Sequence, residues 1–380
     1  MYRSTQLKRT FQTFLCFLFA LTFILPSHGD GRFVRDEIFS PSLEGNKLSD
    51  PSTRAVTIYL PPSYDMSPEK RYPVLYLLHG FGGDNDSFVK LLTEPVALMI
   101  LDGLVKGELV PEVIIAMPDA GNSFGGSFYT NSELIGNYED YIVEDLVGYM
   151  DSNYRTIPDR KGRVIMGASM GGYGAMKLGV KHPDVFRAVM SLCAPLDFTA
   201  NRDWMIARVL EENPNGMGDP GEGKTFTTFL YALSAAFSPN LNSPPFFVDL
   251  PFEYPSGKIK EDVWSRWEEH DIASMLERDP DRFRKLDGIY IDIGDKDELG
   301  LTPVVLSFHE KLLAFRIDHE FFMFEGGHSD KPVDRFMNAM KFVSKILAQP
   351  SSVPSHVLPT RWGEVKDKLA TSWGRCKRAF

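Results

Sequence analysis

Short β-branched and aromatic runs alternate with longer helical stretches along most of the chain, which predicts strands joined by crossover helices. Val74 to Leu78, Val113 to Met117, Arg163 to Met166, Ala188 to Cys193, Gly288 to Gly294 and His319 to Phe324 read as strands, and Tyr141 to Tyr154 and Phe226 to Phe237 as helices. This alternation is the mark of an α/β fold with a mostly parallel central sheet flanked by helices.

Three stretches break the pattern. At the N-terminus Arg3, Lys8 and Arg9 precede the uncharged run from Phe11 to Leu25, and Ser27 and Gly29 supply small residues ahead of Asp30. Residues 1–29 therefore read as a signal peptide, which implies a secreted or periplasmic protein. The apolar run is shorter than the ~20 residues of a membrane-spanning helix, so anchoring follows only if the signal stays uncleaved. Cys16 lacks the small preceding residue of a lipidation site. Between Cys193 and Ile289 lie about ninety residues, more than one crossover needs, which predicts a cap inserted over about 199–285 of a catalytic domain at 30–348. The cap holds Trp204, a glycine-rich stretch, the 226–237 helix and the proline-aromatic run from Ser243 to Phe252. Either it forms an acyl or aryl pocket to which Phe246 contributes, or it simply packs on the core. Finally, the tail at 349–380 opens with prolines and serines and then carries Trp362, Val365, Leu369, Trp373, Cys376 and Phe380 on one helical stripe, amid basic residues. It is expected to dock on the protein itself or to make a membrane-surface contact.

With 380 residues, 43% hydrophobic and 24% charged, the chain can bury one large core or a core plus a cap. Losing Arg3, Lys8 and Arg9 with the signal shifts the formal charge from −10 to −13, which argues against nucleic acid as a partner. Of three cysteines, only Cys193 and Cys376 would remain, too few for a disulfide framework.

Candidate chemistry lies where strands end. Gly167-Ala168-Ser169-Met170-Gly171 has the G-x-S-x-G form of a nucleophile elbow, in which a serine on a tight strand-to-helix turn meets a base and waiting amide donors. The partners should follow in the order acid, then histidine. His328 comes after the last strand on the loop Glu325-Gly326-Gly327-His328 and is the expected base. His79 precedes the serine and is expected to shape a loop, and His182 suits the turn after a helix. For the acid, Asp297 is favoured because it lies far enough into its loop to reach back to an imidazole. Asp295 and Asp197 are the alternatives, and Asp292 would lie within a strand. The amides of Met170 and Phe81, the latter within His79-Gly80-Phe81-Gly82-Gly83, are expected to form the oxyanion hole. Gly80 and the loop from Asp119 to Tyr129, with Asn122 and Tyr129, should rim the same sheet edge and touch substrate. The chain has neither a phosphate-binding loop nor a His/Cys set with metal-ligand spacing, so no metal or organic cofactor is called for.

Taken together, His79 to Gly83, Gly136-Asn137-Tyr138-Glu139-Asp140-Tyr141, the octapeptide Gly167 to Gly174 and Gly326-Gly327-His328 resemble the "Putative esterase" (esterase D-like) family of α/β-hydrolases over roughly 54–347. That family includes S-formylglutathione hydrolases, feruloyl and acetyl-xylan esterases and antigen 85 mycolyltransferases. The resemblance implies a triad of Ser169, Asp297 and His328 with Phe81 and Met170 as amide donors. Two positions depart from the pattern: Phe88 stands where tryptophan is common, and extra carboxylates crowd Asp297. The expected function is a secreted serine carboxylic-ester hydrolase working through an acyl-enzyme on a small-molecule, polysaccharide or lipid ester. An acyltransferase using the same residues is the alternative, and a non-catalytic binding module a remote one.

Overall fold

Ten strands organise the residues that the computed structural model describes, 29–351. They are β1 (Arg32–Phe39), β2 (Thr53–Leu60), β3 (Val74–Leu78), β4 (Ile114–Pro118), the short β5 (Asn131–Ser132) and β6 (Gly136–Asn137), β7 (Arg163–Ala168), β8 (Ala188–Leu192), β9 (Gly288–Gly294) and β10 (Glu320–Phe324). All but β5 and β6, which pair with each other, join one eight-stranded sheet in the order β1-β2-β4-β3-β7-β8-β9-β10. β1, β2 and β4 pair antiparallel, and every pairing from β4 to β10 is parallel. Residues 1–28 of the expected signal segment 1–29, the tail stripe from Trp362 to Phe380, Cys16 and Cys376 lie outside the described residues. Among the described residues no helix is long and apolar enough to cross a membrane.

The helices are α1 (Ser87–Leu92), α2 (Glu94–Lys106), α3 over 138–153 with a wide π turn at Tyr141–Leu146, α4 (Met170–Lys181), α5 (Arg202–Glu212), α6 (Thr225–Phe237), α7 (Glu261–Glu268), α8 (Ile272–Arg278), α9 (Pro280–Arg284), α10 (Thr302–Ala314) and α11 (Pro332–Leu347). Successive side chains of a strand face opposite ways, so each buried strand feeds two cores. On one face Val74, Tyr76, Ile165, Val189 and Ile291 pack with α3, α4, α10 and the segment between β8 and β9. On the other, Leu75, Ile115, Met166 and Met190 pack with Leu101 and Leu104 of α2 and with Phe336, Met340 and Val343 of α11. Helices α5 to α9 occupy the long interval between β8 and β9. Phe198, Phe237 and Trp267 fix it to Tyr173 of α4 through ring contacts at 5.6 to 6.2 Å.

Parallel pairing has one consequence that matters for chemistry: the C-terminal ends of β3, β4, β7, β8, β9 and β10 all open on the same edge. Ala168 pairs with Leu192, Leu192 with Asp292, and Phe324 with Gly294. Ser169, Cys193, Asp295 and Glu325 therefore leave the sheet side by side.

Candidate active site

Ser169 stands between β7 and α4 with φ 57° and ψ −122°, a conformation that costs a non-glycine residue about 1–3 kcal/mol. Hydrogen bonds on both sides hold it there: its amide donates to the Leu192 carbonyl at 2.8 Å, and its carbonyl accepts from Tyr173 N at 2.9 Å. The flanking glycines are required by close approach. A Cβ on Gly167 would fall 2.3 Å from the Gly171 carbonyl, and one on Gly171 would fall 2.2 Å from the Leu78 carbonyl oxygen. Strand, turn and helix are thus clamped together beneath the hydroxyl.

Asp297 and His328 meet directly, Asp297 Oδ2 lying 2.7 Å from His328 Nδ1. A carboxylate only accepts, so Nδ1 carries the proton in this contact and Nε2 faces away from the acid. Asp297 is buried and its Oδ1 accepts from Leu299 N at 3.0 Å, which fixes the carboxylate on its turn. The neighbouring acids have other partners. Asp295 accepts from Gly326 N at 2.8 Å, Asp330 from Gly327 N at 2.7 Å and Glu298 from His328 N at 2.8 Å, so three carboxylates brace the loop that carries the histidine. Asp292 is fully buried below, in a two-pronged ion pair with Arg335. Asp197 accepts from Ala200 N at 3.0 Å and from Ser307 Oγ at 2.8 Å, away from any histidine. No hydrogen bond joins Ser169 Oγ to His328 among the described residues; in sites of this kind that contact commonly tightens only around substrate.

Cys193 is the neighbour that sequence reasoning placed only at a strand end. Its Sγ and ligand atoms of Asp297 and His328 lie within 4.8 Å of one another. The three do not suit a metal ion. Burial pushes the thiol up to about 12, against the pull of Arg335, whose Nη2 stands 2.9 Å from the sulfur, and Asp297 is already engaged by His328.

On the other side of Ser169 the loop after β3 turns through Gly82, at φ 70°, with Gly82 N donating to Gly125 O at 2.8 Å and Gly83 N to Gly80 O at 3.1 Å. Among the described residues the amides of Phe81 and Met170 have no hydrogen-bond partner, leaving two donors beside the serine. His79 is buried, and burial lowers its pKa. Its Nε2 accepts from Ala120 N at 2.9 Å, so the Nδ1 proton goes to Gly80 O at 2.8 Å, and this neutral ring ties the loop after β3 to the loop after β4. His182 ends α4 against Glu139 at 2.8 Å.

A chamber of about 70 Å³ opens beside Ser169 and Met170, walled by Phe81, Phe128, Trp204, Phe226 and Phe229. Its outer wall comes from α5 and α6, and the spacing of Phe226, Phe229 and Leu233 along α6 was the signal for it. Gly80 does adjoin the serine, since a Cβ there would lie 3.6 Å from Ser169 Cβ. The other three residues expected at the substrate lie elsewhere. Tyr129 is fully buried and donates to His79 O at 2.9 Å, because a positive φ of 48° turns it inward. Asn122 folds its own loop, Oδ1 accepting from Phe124 N at 2.9 Å and Gly126 N at 3.1 Å. Phe246 packs on Tyr231 at 4.7 Å and does not reach the chamber.

A family model described as "Putative esterase" matches residues 49–340. Esterase Rv1288 of Mycobacterium tuberculosis (strain ATCC 25618 / H37Rv) is 33% identical over 144 residues, 37% of this chain and 29% of that protein. S-formylglutathione hydrolase of Arabidopsis thaliana is 31% identical over 159 residues, 39% of this chain and 54% of that enzyme. The chain thus matches only part of the length of these relatives. A solved structure of a ferulic acid esterase is similar with a TM-score of 0.60 and 25% identity, covering 84% of this chain and all of that one.

Proposed function

Because the chain belongs to the esterase family whose model spans most of it, and has the α/β-hydrolase fold, we propose that it hydrolyses carboxylic esters through an acyl-enzyme on Ser169. The observation that carries this reading is the 2.7 Å contact of His328 with Asp297 on the same sheet edge as the strained serine. Ser169 Oγ attacks the ester carbonyl as His328 Nε2 takes its proton, and the Phe81 and Met170 amides receive the charge on the carbonyl oxygen. Collapse of the tetrahedral adduct breaks the bond to the alkoxy oxygen, to which His328 returns the proton. Water, deprotonated by the same imidazole, then attacks the acyl-serine, and the acid leaves with Ser169 restored. Asp297 holds the ring in the tautomer that can accept.

The aromatic chamber suits a short or flat apolar acyl group. That fits an ester such as the ones named by the similar proteins, a ferulic acid esterase and an S-formylglutathione hydrolase. Residues 1–29 support export as the setting of the reaction. The test is turnover of p-nitrophenyl esters of increasing acyl length, methyl ferulate and S-formylglutathione by wild-type, Ser169→Ala and Asp297→Asn protein. Losses on the order of 10⁴-fold or more in kcat are expected for both variants. A Ser169→Ala protein that keeps wild-type turnover overturns the assignment.

A further inference from the structure

We infer that the groove between α1–α2 and α11 is a second, apolar subsite that receives the alcohol portion of the ester, and that this alcohol is aliphatic; the inference rests on the ester-hydrolase reading above. The groove encloses about 190 Å³, against about 70 Å³ for the aromatic chamber. It reaches the elbow from the other side. Gly80, Gly167 and Ala168 form its floor, whereas the chamber meets Ser169 and Met170. Its far wall includes Pro332 and Val333, at the start of the helix that follows the His328 loop. A substrate whose carbonyl oxygen faces the Phe81 and Met170 amides therefore has its acyl group in the aromatic chamber. Its alkoxy oxygen, which must receive the proton from His328, then points toward the groove.

The wall of the groove is mostly hydrocarbon. Each polar side chain on its wall is already engaged within the protein. His79 is held by Ala120 N and Gly80 O, Asp84 by Asp86 N and Lys90, and Asn85 Nδ2 by Thr57 Oγ1. Ser87 Oγ accepts from Asp84 N, and Arg335 is spread over Asp292, Cys193 and His328 O. What faces the space is Phe88, Leu92, Ile100, Met117, Met166 and Phe336. A sugar ring placed there would set most of its hydroxyls against hydrocarbon and take them from water, whereas every methylene of an alkyl chain gains by leaving water. Leu91, 60% exposed, stands at the open end, so a longer chain has a way out.

The test is a series of alkyl acetates from methyl to octyl. Wild-type kcat/KM should rise about threefold to fourfold per added methylene until the groove is filled, and Val333→Trp, which plugs it from the first turn of α11, should flatten the series. Leu91→Glu changes only the exposed mouth and should lower the octyl-to-methyl ratio without threatening the fold. A second measurement is independent of turnover: 1-octanol should raise the Tm of Ser169→Ala protein, and Val333→Trp should abolish that rise. A flat wild-type series, or no Tm shift with 1-octanol, overturns the groove assignment. Octanol binding by a protein that cleaves no ester would instead overturn the hydrolase reading and leave the groove standing.

Discussion

Arg335 holds His328 by its main chain, Nη1 donating to the His328 carbonyl at 3.1 Å, while Nε and Nη2 form a fork on Asp292 at 3.0 and 2.9 Å. The histidine loop is thereby tied to the buried interior of β9 instead of resting on solvent-exposed braces alone. Arg335→Met removes the tie and leaves the Asp292 carboxylate buried without its cation, a change that costs about 3–5 kcal/mol in comparable sites. The expected variant has a lower urea midpoint and at least a tenfold lower kcat with little change in KM for short alkyl esters, because His328 loses its fixed position while the aromatic chamber, which Arg335 does not line, stays intact. A kcat equal to wild type would mean that Asp295, Glu298 and Asp330 hold the loop without Arg335.

The elbow glycines allow a sharper test of packing. A methyl group on Gly171 meets the carbonyl oxygens of Leu78 and His79 at 2.2 and 2.7 Å, and both belong to backbone that cannot rotate aside. Gly171→Ala should cost about 4 kcal/mol or more, which places it among the severe single substitutions. Gly103, within α2, has open space around the same position. Gly103→Ala should stabilise by about 0.4–1 kcal/mol through the restricted unfolded chain and better helix propensity. Urea unfolding of the two variants checks both signs.

Trp204 closes one side of the aromatic chamber, edge-on to Phe226 at 5.2 Å, yet it is 36% exposed. Trp204→Ala should therefore open the chamber at small cost in stability. The optimum in a p-nitrophenyl ester series should move to longer acyl chains, with an improved KM for the longer members. An unchanged optimum would place the acyl group elsewhere.

Which parts of this arrangement the sequence made legible follows from burial. β3, β4 and β7 to β9 are nearly all apolar because parallel strands inside the sheet are covered on both faces, and their runs are plain to read; β10 is as apolar but lies at the edge and leaves Phe322 and Met323 exposed. β1 was not read as a strand, since Arg32, Arg35, Asp36 and Glu37 interrupt its apolar residues. As the edge of the sheet it pairs only with β2 and can carry those charges. The elbow and the histidine loop were legible through glycine placement. The depth of Asp297 in its loop favoured it over Asp295, although three carboxylates on one turn differ chiefly in which amide or ring each one faces: Asp297 faces the His328 ring, and Asp295 and Glu298 face the amides of Gly326 and His328. Tyr129 looked like a pocket-rim aromatic in a glycine-rich loop, and only its inward-turning backbone shows it to be packing. In the cap, the i, i+3, i+7 stripe of α6 (Phe226, Phe229 and Leu233) lines the chamber, and the more conspicuous Ser243 to Phe252 run does not.

Lys177 makes stability depend on pH in a direction opposite to simple charge repulsion. It is fully buried on α4, its Nζ donating to Thr130 Oγ1 at 2.6 Å beneath the rings of Tyr173 and Phe237. Burial pushes the ammonium down to about 7, with Glu139 opposing the shift and Lys181 reinforcing it. His270, whose Nδ1 lies 3.4 Å from Nζ, is itself driven down to about 3 by burial and then by the charges of Lys177 and Lys181. Glu139 falls to about 2, because His182, Lys177 and Lys181 outweigh its burial. Neither neighbour changes charge above pH 7. Between about pH 7 and the unfolded-state value near 10.4, the unfolded chain keeps the Lys177 proton and the folded one has released it, so stability rises with pH, by at most about 1.4 kcal/mol per unit. Cys193, pushed up to about 12, acts the other way once unfolded thiols ionise near pH 8.5, which confines the clean window to pH 7–8.5. Wild-type unfolding free energy should therefore climb across that window, and Lys177→Met should flatten the climb while raising stability at pH 7. Urea titrations of both proteins at pH 7.0, 7.75 and 8.5 read the difference in slope. Parallel lines for the two would mean that the buried amine keeps its proton throughout.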